Sequence, residues 1–413
     1  MIAHTDNRPV RFTVPMNWQP DYFDRMRLDQ VCEIYGKLRE DFPGGGKSSM
    51  AQAEPRKKDV AHVVAQAHTR GIEFNYLINA TCIGNLELTR RGYARIRLLL
   101  DWFCTIGVDR VTLALPFLVE MVKKHYPELK VTVSTQAAVD SLENVQYWQD
   151  LGADTITLSH VAMNRNFREI ARITQNATCD VQLIANMICK RRCPNVTLHG
   201  NFNAHASQTG AKTNRYNMDY YFISCLARNF SDPVSIIKSN WIRPEDIGIY
   251  ENLGIRRFKI AERGLTTGAL ARIIAAYSGR SYEGNFMDLV PTMSKYIFIQ
   301  KGNFFKSMKE MFRISFVDVF RLWDAVRRMK ELRKSADYYH TLGVSIDNKK
   351  LDGVLKTFME KDCLVRTCAG CDYCERLAAD TVTIPGTPGR HEKDVSNLQA
   401  ILDNIVSGAY LGA

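Results

Sequence analysis

From residue 9 to about residue 280, short runs rich in β-branched and aromatic residues alternate with segments whose apolar positions recur every three or four residues. That is the rhythm of strands alternating with helices in a parallel α/β fold. Eight runs read as strands: VRFTVP (10–15), VCEIYG (31–36), EFNYLINA (73–80), RVTLALP (110–116), VTVSTQ (131–136), TITLSH (155–160), VQLIANM (181–187) and RRFKIAE (256–262). Between them ARIRLLLDWFCTIG, PFLVEMVKKHY, ENVQYWQDLG and NFREIARITQN read as amphipathic helices, with Gly107 and Gly152 where a helix-stopping glycine belongs. Eight strands with intervening helices predict a closed (β/α)8 TIM-like barrel over residues 1–285, with a doubly wound open sheet as the alternative. Past residue 285 the pattern changes to YIFIQKGNFF, a helical VDVFRLWDAVRRMKELRKSADYYHTLG and a cysteine-rich tail. Residues 286–413 therefore read as an α-rich C-terminal module. Two connections exceed the usual length and are where function tends to sit: KLREDFPGGGKSSMAQAEP after the second strand, and residues 189–241 after the seventh.

No run approaches the roughly 20 apolar residues of a membrane helix, and the opening MIAHTDNRPV lacks the apolar core of a secretion signal. The expectation is a cytoplasmic protein without a membrane span. Thiols stay reduced in that compartment, which favours metal ligation over disulfides for the cysteines. The net charge of +11 favours an anionic partner, either RNA or a carboxylated or phosphorylated small molecule. The basic residues are dispersed in stretches such as KRRC and RRMKELRK, as on a solvated surface.

Of the eleven cysteines, seven fall into two groups. Cys363, Cys368, Cys371 and Cys374 read C-x4-C-x2-C-x2-C, a register in which neighbouring thiolates converge on one centre. Zinc and an iron–sulfur cluster both suit this tail group. Active sites of barrels are built at the C-terminal ends of the strands. Cys189 and Cys193 directly follow the seventh strand, Cys225 lies in the long loop above that rim, and Cys82 follows the third strand. These four are candidate ligands of one metal centre, with iron–sulfur favoured over zinc by ligand softness and by the C-x3-C step. Cys32, Cys104 and Cys179 lie away from that rim and read as structural. Asn79, Gln136, Asn186, Glu262 and Arg263 end strands at the same rim and are candidate contacts: Gln136, Glu262 and Arg263 for catalysis, Asn79 and Asn186 for cofactor binding. His160, His199 and His205 are rim candidates for moving protons. GGGKSS at Gly44–Ser49 lacks the first glycine of a phosphate loop, Asp41 standing in its place, and reads as a loop closing over the mouth. Neither a Ser-His-Asp order nor an HExxH zinc motif is present to support peptidase chemistry.

Four stretches in order, VSTQ at Val133–Gln136, LGADTITLSH, the paired cysteines after the next strand, and SNWIRPEDIGIYENLGIRRFKIAERG, resemble the collagenase-like peptidase U thirty-two family over roughly residues 30–280. The resemblance implies a TIM-like barrel carrying a [4Fe-4S] cluster, and an oxygen-independent hydroxylation of RNA bases or ubiquinone precursors with a prephenate-like oxygen donor. It also implies that a related partner subunit can be involved. Two departures stand out: the family's Lys-Ile-Glu-Gly-Arg is Lys259-Ile260-Ala261-Glu262-Arg263 here, and the cysteine spacing is C-x3-C. Arg263 keeps its place in that pattern and has the planar fork that grips a carboxylate through two parallel hydrogen bonds. The expectation is an iron–sulfur enzyme for oxygen-independent C–H oxidation of a small-molecule, peptide or RNA substrate. The alternatives are a non-catalytic iron–sulfur partner or scaffold subunit, and an RNA-modification factor.

Overall fold

The computed structural model describes residues 8–49, 52–290, 316–332, 343–361, 363, 368–384 and 389–411. Its centre is a closed barrel of eight parallel strands: β1 (Arg11–Pro15), β2 (Val31–Gly36), β3 (Glu73–Leu77), β4 (Arg110–Leu113), β5 (Lys130–Val133), β6 (Thr155–Thr157), β7 (Asp180–Ile184) and β8 (Arg257–Lys259). Closure comes from β1 pairing with β8 through Arg11–Arg257, Phe12–Phe258 and Thr13–Lys259. The open doubly wound sheet is thereby excluded. The strands from β3 to β8 end earlier than their apolar runs, so the last residues of EFNYLINA, VTVSTQ and VQLIANM are rim positions rather than strand.

Period-two alternation in the strands sorts their side chains between two environments. Phe12, Val14, Ile34, Phe74, Val111, Val131, Ile156, Leu183 and Phe258 are buried in one hydrophobic cluster with the inner faces of the surrounding helices. Thr13, Glu33, Asn75, Arg110, Thr132, Thr155 and Gln182 are equally buried and bond to one another across the strands. The lumen is thus polar where layers of Val, Ile and Leu are usual. Its centre is Glu33, which accepts from Asn75 Nδ2 at 2.8 Å and pairs with Arg110 Nε at 3.1 Å and Arg257 at 3.7 Å. Arg110 also donates to Thr132 and Thr155, Thr112 donates to Asn75, and Gln182 bridges Thr157 to Thr13.

The expected helices form at Arg90–Ile106, Pro116–His125, Leu142–Asp150 and Phe167–Asn176. Thr89 and Ser141 cap two of them by accepting from Gly92 and Asn144 amides, and Gly107 stops the first in the left-handed conformation at φ 78°. The long connection after β7 holds the helices Val196–Ala206 and Tyr220–Ser231, lying over the rim, and the short helix Val234–Ile237. Beyond the barrel, Phe286 packs on Trp241 with ring centres 4.8 Å apart, and the same hydrophobic cluster continues into the C-terminal residues. Among the described residues, four helices (Val319–Leu332, Val354–Lys361, Tyr373–Thr381, Arg390–Val406) and a two-stranded pairing of Ser345–Ile346 with Val382–Thr383 make that region α-rich. YIFIQKGNFF lies outside the described residues. Among the described residues no helix is long and apolar enough to cross a membrane.

Removing one partner of a buried ion pair strands the other charge and costs about 3–5 kcal/mol, whereas replacing both by apolar groups is often close to neutral. Glu33→Ala is therefore expected to destabilise the barrel by that amount in denaturant unfolding. The double change Glu33→Met with Arg110→Met should recover most of it.

Candidate functional site

The glycine run after β2 lies across the C-terminal mouth of the barrel. Its amides donate to side chains of the rim: Gly44 to Asp41 Oδ1 at 2.8 Å, Gly45 to Ser207 Oγ at 3.0 Å, Gly46 to Asn79 Oδ1 at 3.0 Å and Ser48 to Asn203 Oδ1 at 2.9 Å. Such close approach requires glycine at Gly44, where φ is +74° and a Cβ would stand 2.6 Å from Gln208. The amides that a phosphate loop would offer to a ligand are here bonded to the protein itself.

Beneath this loop lies a cluster of cations. Lys37, the residue after β2, is fully buried and pairs with Asp41 at 3.0 Å. Lys47 pairs with Glu262, both mostly shielded from solvent. Burial alone would raise the Glu262 carboxyl, but the Lys47 charge and hydrogen bonds from Lys47 and Gly264 hold it below the usual value. Glu262 has φ 87°, a conformation that glycine adopts freely and other residues adopt at a cost. Its carboxylate ties down the loop through Lys47. Arg263 is 8% exposed, and its buried Nη1 has no hydrogen-bond acceptor. Lys259 sits one layer deeper, its ammonium 4.0 Å from the ring centre of Tyr35. Burial pushes it down to about 8 from an ordinary 10.5, with Glu33 opposing the shift and Arg263 adding to it.

The other rim residues divide by what they touch. Asn79 accepts from Gly46 and donates to Ser134 Oγ at 3.0 Å, so it holds the loop to the rim. Gln136 lies between the loop and the helix Val196–Ala206: a Cβ on Gly200 would stand 2.6 Å from its Oε1, and one on Gly46 would stand 3.3 Å from its Nε2. Asn186 accepts from Ala261 N–H and donates to the carbonyls of Ala261 and Leu289, stitching β7 to the segments after β8. His160 is buried with Nδ1 2.9 Å from Thr135 Oγ1. The same Thr135 hydroxyl lies 3.0 Å from the Leu158 carbonyl and accepts from the His160 amide at 3.2 Å. Burial, and then nearby His199, push His160 down to about 4, which keeps it neutral near pH 7. His199 pairs with Asp219 at 3.0 Å.

Cys189 and Cys193 leave β7 on one loop, and Cys225 comes from the helix Tyr220–Ser231, yet the three thiols lie close enough for Cys189 to feel the charges of the other two. Burial, then those neighbours, push the Cys189 thiol up, while Arg228, whose guanidinium lies 3.6 Å from the Cys225 sulfur, works the other way. Cys82 stays in its own turn, accepting from Gly84 N–H at 3.3 Å, and does not figure among the charges acting on Cys189 or Cys225. The tail group gathers around Cys363, which feels Cys368 and Cys371 and is felt by Cys374. Among the described residues no three His, Cys, Asp or Glu side chains stand ready at metal-binding separations. As donor sets, three soft thiols beside Arg228 and four in the tail suit thiophilic metals, whose binding displaces the thiol protons.

The profile of Peptidase family U32 matches residues 48–281, which include every rim position from Asn79 to Arg263. The chain belongs to peptidase family U32. It is similar to an uncharacterized protease of Methanocaldococcus jannaschii, 30% identical over 352 residues that cover 85% of this chain and 89% of that protein. A shorter match, 24% identical over 115 residues, covers 28% of this chain and 25% of tRNA hydroxylation protein P of Escherichia coli K12. The solved structure of a U32 peptidase superposes with a TM-score of 0.48 at 24% identity, covering 63% of this chain and 95% of that one.

Sequence reasoning did not single out Lys37, Lys259, Ser134 or the Lys47–Glu262 pair in this U32 protein. The rim rule that selected Asn79 would have found Lys37, which follows β2 in the same way. The pairing of Lys47 with Glu262 bridges residues 215 apart and has no local signal.

Lys259 yields a pH-dependent prediction. The unfolded chain keeps this proton up to about 10.5, whereas the folded protein releases it near 8. The unfolded state therefore binds more protons between those values, and the destabilising contribution of Lys259 fades as pH rises through them. The stability difference between Lys259→Met and wild type should favour the variant most at neutral pH and decline between about pH 8 and 10.5. A difference that is flat across this window would remove the buried cation from the account.

Proposed function

We propose that this U32 protein is an iron–sulfur enzyme that oxidises a C–H bond without molecular oxygen, at the barrel mouth under the Gly44–Ser49 loop. The observation that carries the reading is the buried N–H of Arg263, left without an acceptor at a mouth whose connection after β7 supplies Cys189, Cys193 and Cys225. These three cysteines would hold the cluster, which when bound supplies one-electron redox chemistry. The match to a protein named for tRNA hydroxylation supports the hydroxylation class.

The remaining work falls to the chain's own side chains. Arg263 accounts for the donor: a buried guanidinium without an acceptor is costly, and a carboxylate of a prephenate-like molecule would complete it with a charge-assisted hydrogen bond. Lys259 adds positive potential beneath the same space, whereas Lys37 and Lys47 are offset by Asp41 and Glu262. His160, buried and held neutral near pH 7, is a candidate to accept a proton from the substrate. The loop, held by Asn79, Asn203, Ser207 and Glu262, excludes water, which strengthens each of these interactions. The net charge of +11, together with the name of the same relative, supports a tRNA base as substrate, and salt-dependent retention on tRNA tests it.

Protein purified anaerobically is expected to be brown, with iron and acid-labile sulfide in near-equal amounts, and Cys193→Ser should lose that barrel cluster while keeping the fold. Zinc at full occupancy without sulfide would reject the iron–sulfur assignment. Titration with prephenate and related dicarboxylates should show Arg263→Lys binding more weakly by roughly 1.5–3 kcal/mol, the value of a hydrogen bond to a charged group, with iron content unchanged. Failure of both proteins to bind any dicarboxylate would remove Arg263 from donor recognition.

A further inference from the structure

Arg165, in the turn after β6, is 6% exposed. Its guanidinium carbon lies 4.1 Å from the ring centre of Phe358 and 4.9 Å from that of Trp241. Nη2 donates to the Ile237 carbonyl at 3.2 Å, and the buried Nε has no acceptor. No carboxylate pairs with it among the described residues. A buried cation in such surroundings costs several kcal/mol unless an anion offsets it. The acidic groups whose charge reaches Arg165 are Tyr250, Cys374 and Cys363. Tyr250 is a buried phenol whose hydroxyl donates to the Asn164 carbonyl, so it supplies no charge. The two tail cysteines remain.

Independent contacts hold the tail against this spot. Arg191, between Cys189 and Cys193, donates to the Cys363 carbonyl, Lys238 pairs with Glu375 at 2.6 Å, and Tyr373 packs edge-on to Phe358 at 5.8 Å. Cys371 N–H donates to the Cys368 carbonyl at 3.1 Å in a turn with Gly370 at φ 72°, and Cys374 follows in the first turn of its helix. As thiols, the four cysteines would leave Arg165 uncompensated. As thiolates on a metal they carry net negative charge, because four thiolates outweigh a divalent ion. Arg165, Arg191 and Lys238 then form a cationic collar around it.

We propose that Cys363, Cys368, Cys371 and Cys374 form a second metal–thiolate centre, separate from the barrel group, which docks the C-terminal region on the barrel rim with Arg165 as its buried counterion. The ligand is a thiophilic metal, either zinc or an iron–sulfur cluster, and metal and sulfide analysis of the Cys193→Ser protein tells the two apart.

The test uses the full chain, purified anaerobically, with alkylation of each cysteine followed by mass spectrometry. The four tail cysteines should resist alkylation until a chelator is added, in wild type and equally in Cys193→Ser, whose barrel group has lost its metal. Arg165→Met should release the tail metal to chelator roughly tenfold faster, equivalent to 1.4 kcal/mol, with Arg165→Lys closer to wild type and circular dichroism unchanged. Tail cysteines that react at full rate without chelator would overturn the proposal, as would loss of tail protection in Cys193→Ser. Metal release from Arg165→Met at the wild-type rate would overturn the counterion role. Because the barrel and tail cysteines are read separately, failure here leaves the barrel reading standing, and the reverse also holds.

Discussion

A buried carboxylate, Glu33, organises the inside of this barrel. It is 1% exposed and faces Asn75, Arg110 and Arg257 from three other strands. Each of those groups, and the threonines beyond them, would be costly to bury alone, so the lumen is stable only as a complete set of partners. The requirement fixes register as well, since a slip of one residue would turn the polar set toward the helices and the apolar set into the lumen. The aromatic and aliphatic set, turned the other way, provides the hydrophobic burial that holds the helices.

The same rule of compensation identifies the places where the molecule departs from it. At the mouth, Asp41 offsets Lys37 and Glu262 offsets Lys47, but Arg263 retains a buried N–H without an acceptor. Beneath the tail, Arg165 is buried between two aromatic rings without a carboxylate among the described residues. Both lie next to a gathering of cysteines or a rim of polar side chains. The positive φ at Glu262 follows from the same constraint: a strained backbone holds a carboxylate against the loop lysine.

Much of the architecture was legible because its signals are local. All eight strands and four of the outer helices follow from alternation, three- and four-residue spacing and stop signals such as Gly107, each carried within a few residues of chain. The glycine run was readable as a loop over the mouth because one missing glycine excluded the phosphate loop. The polar lumen was also written in the alternation of VTVST and TITLS, but expecting an apolar barrel core obscures it. Less legible were pairings across long separations, among them Lys47 with Glu262, Arg191 with Cys363 and Arg165 with the tail.

By itself, then, the sequence determined the order and type of the barrel elements, the family stretches and the two cysteine groups, because periodicity, glycine placement and ligand spacing are properties of neighbouring residues. Tertiary structure decided which of the rim residues meet. It used Asn186 as a stitch between the segments after β7 and β8, tied Lys47 to Glu262 across the mouth, and left the buried Nη1 of Arg263 without an acceptor. Those outcomes depend on how the barrel closes and on where the long connection after β7 folds back. Packing the whole chain settles both, and no local pattern encodes them.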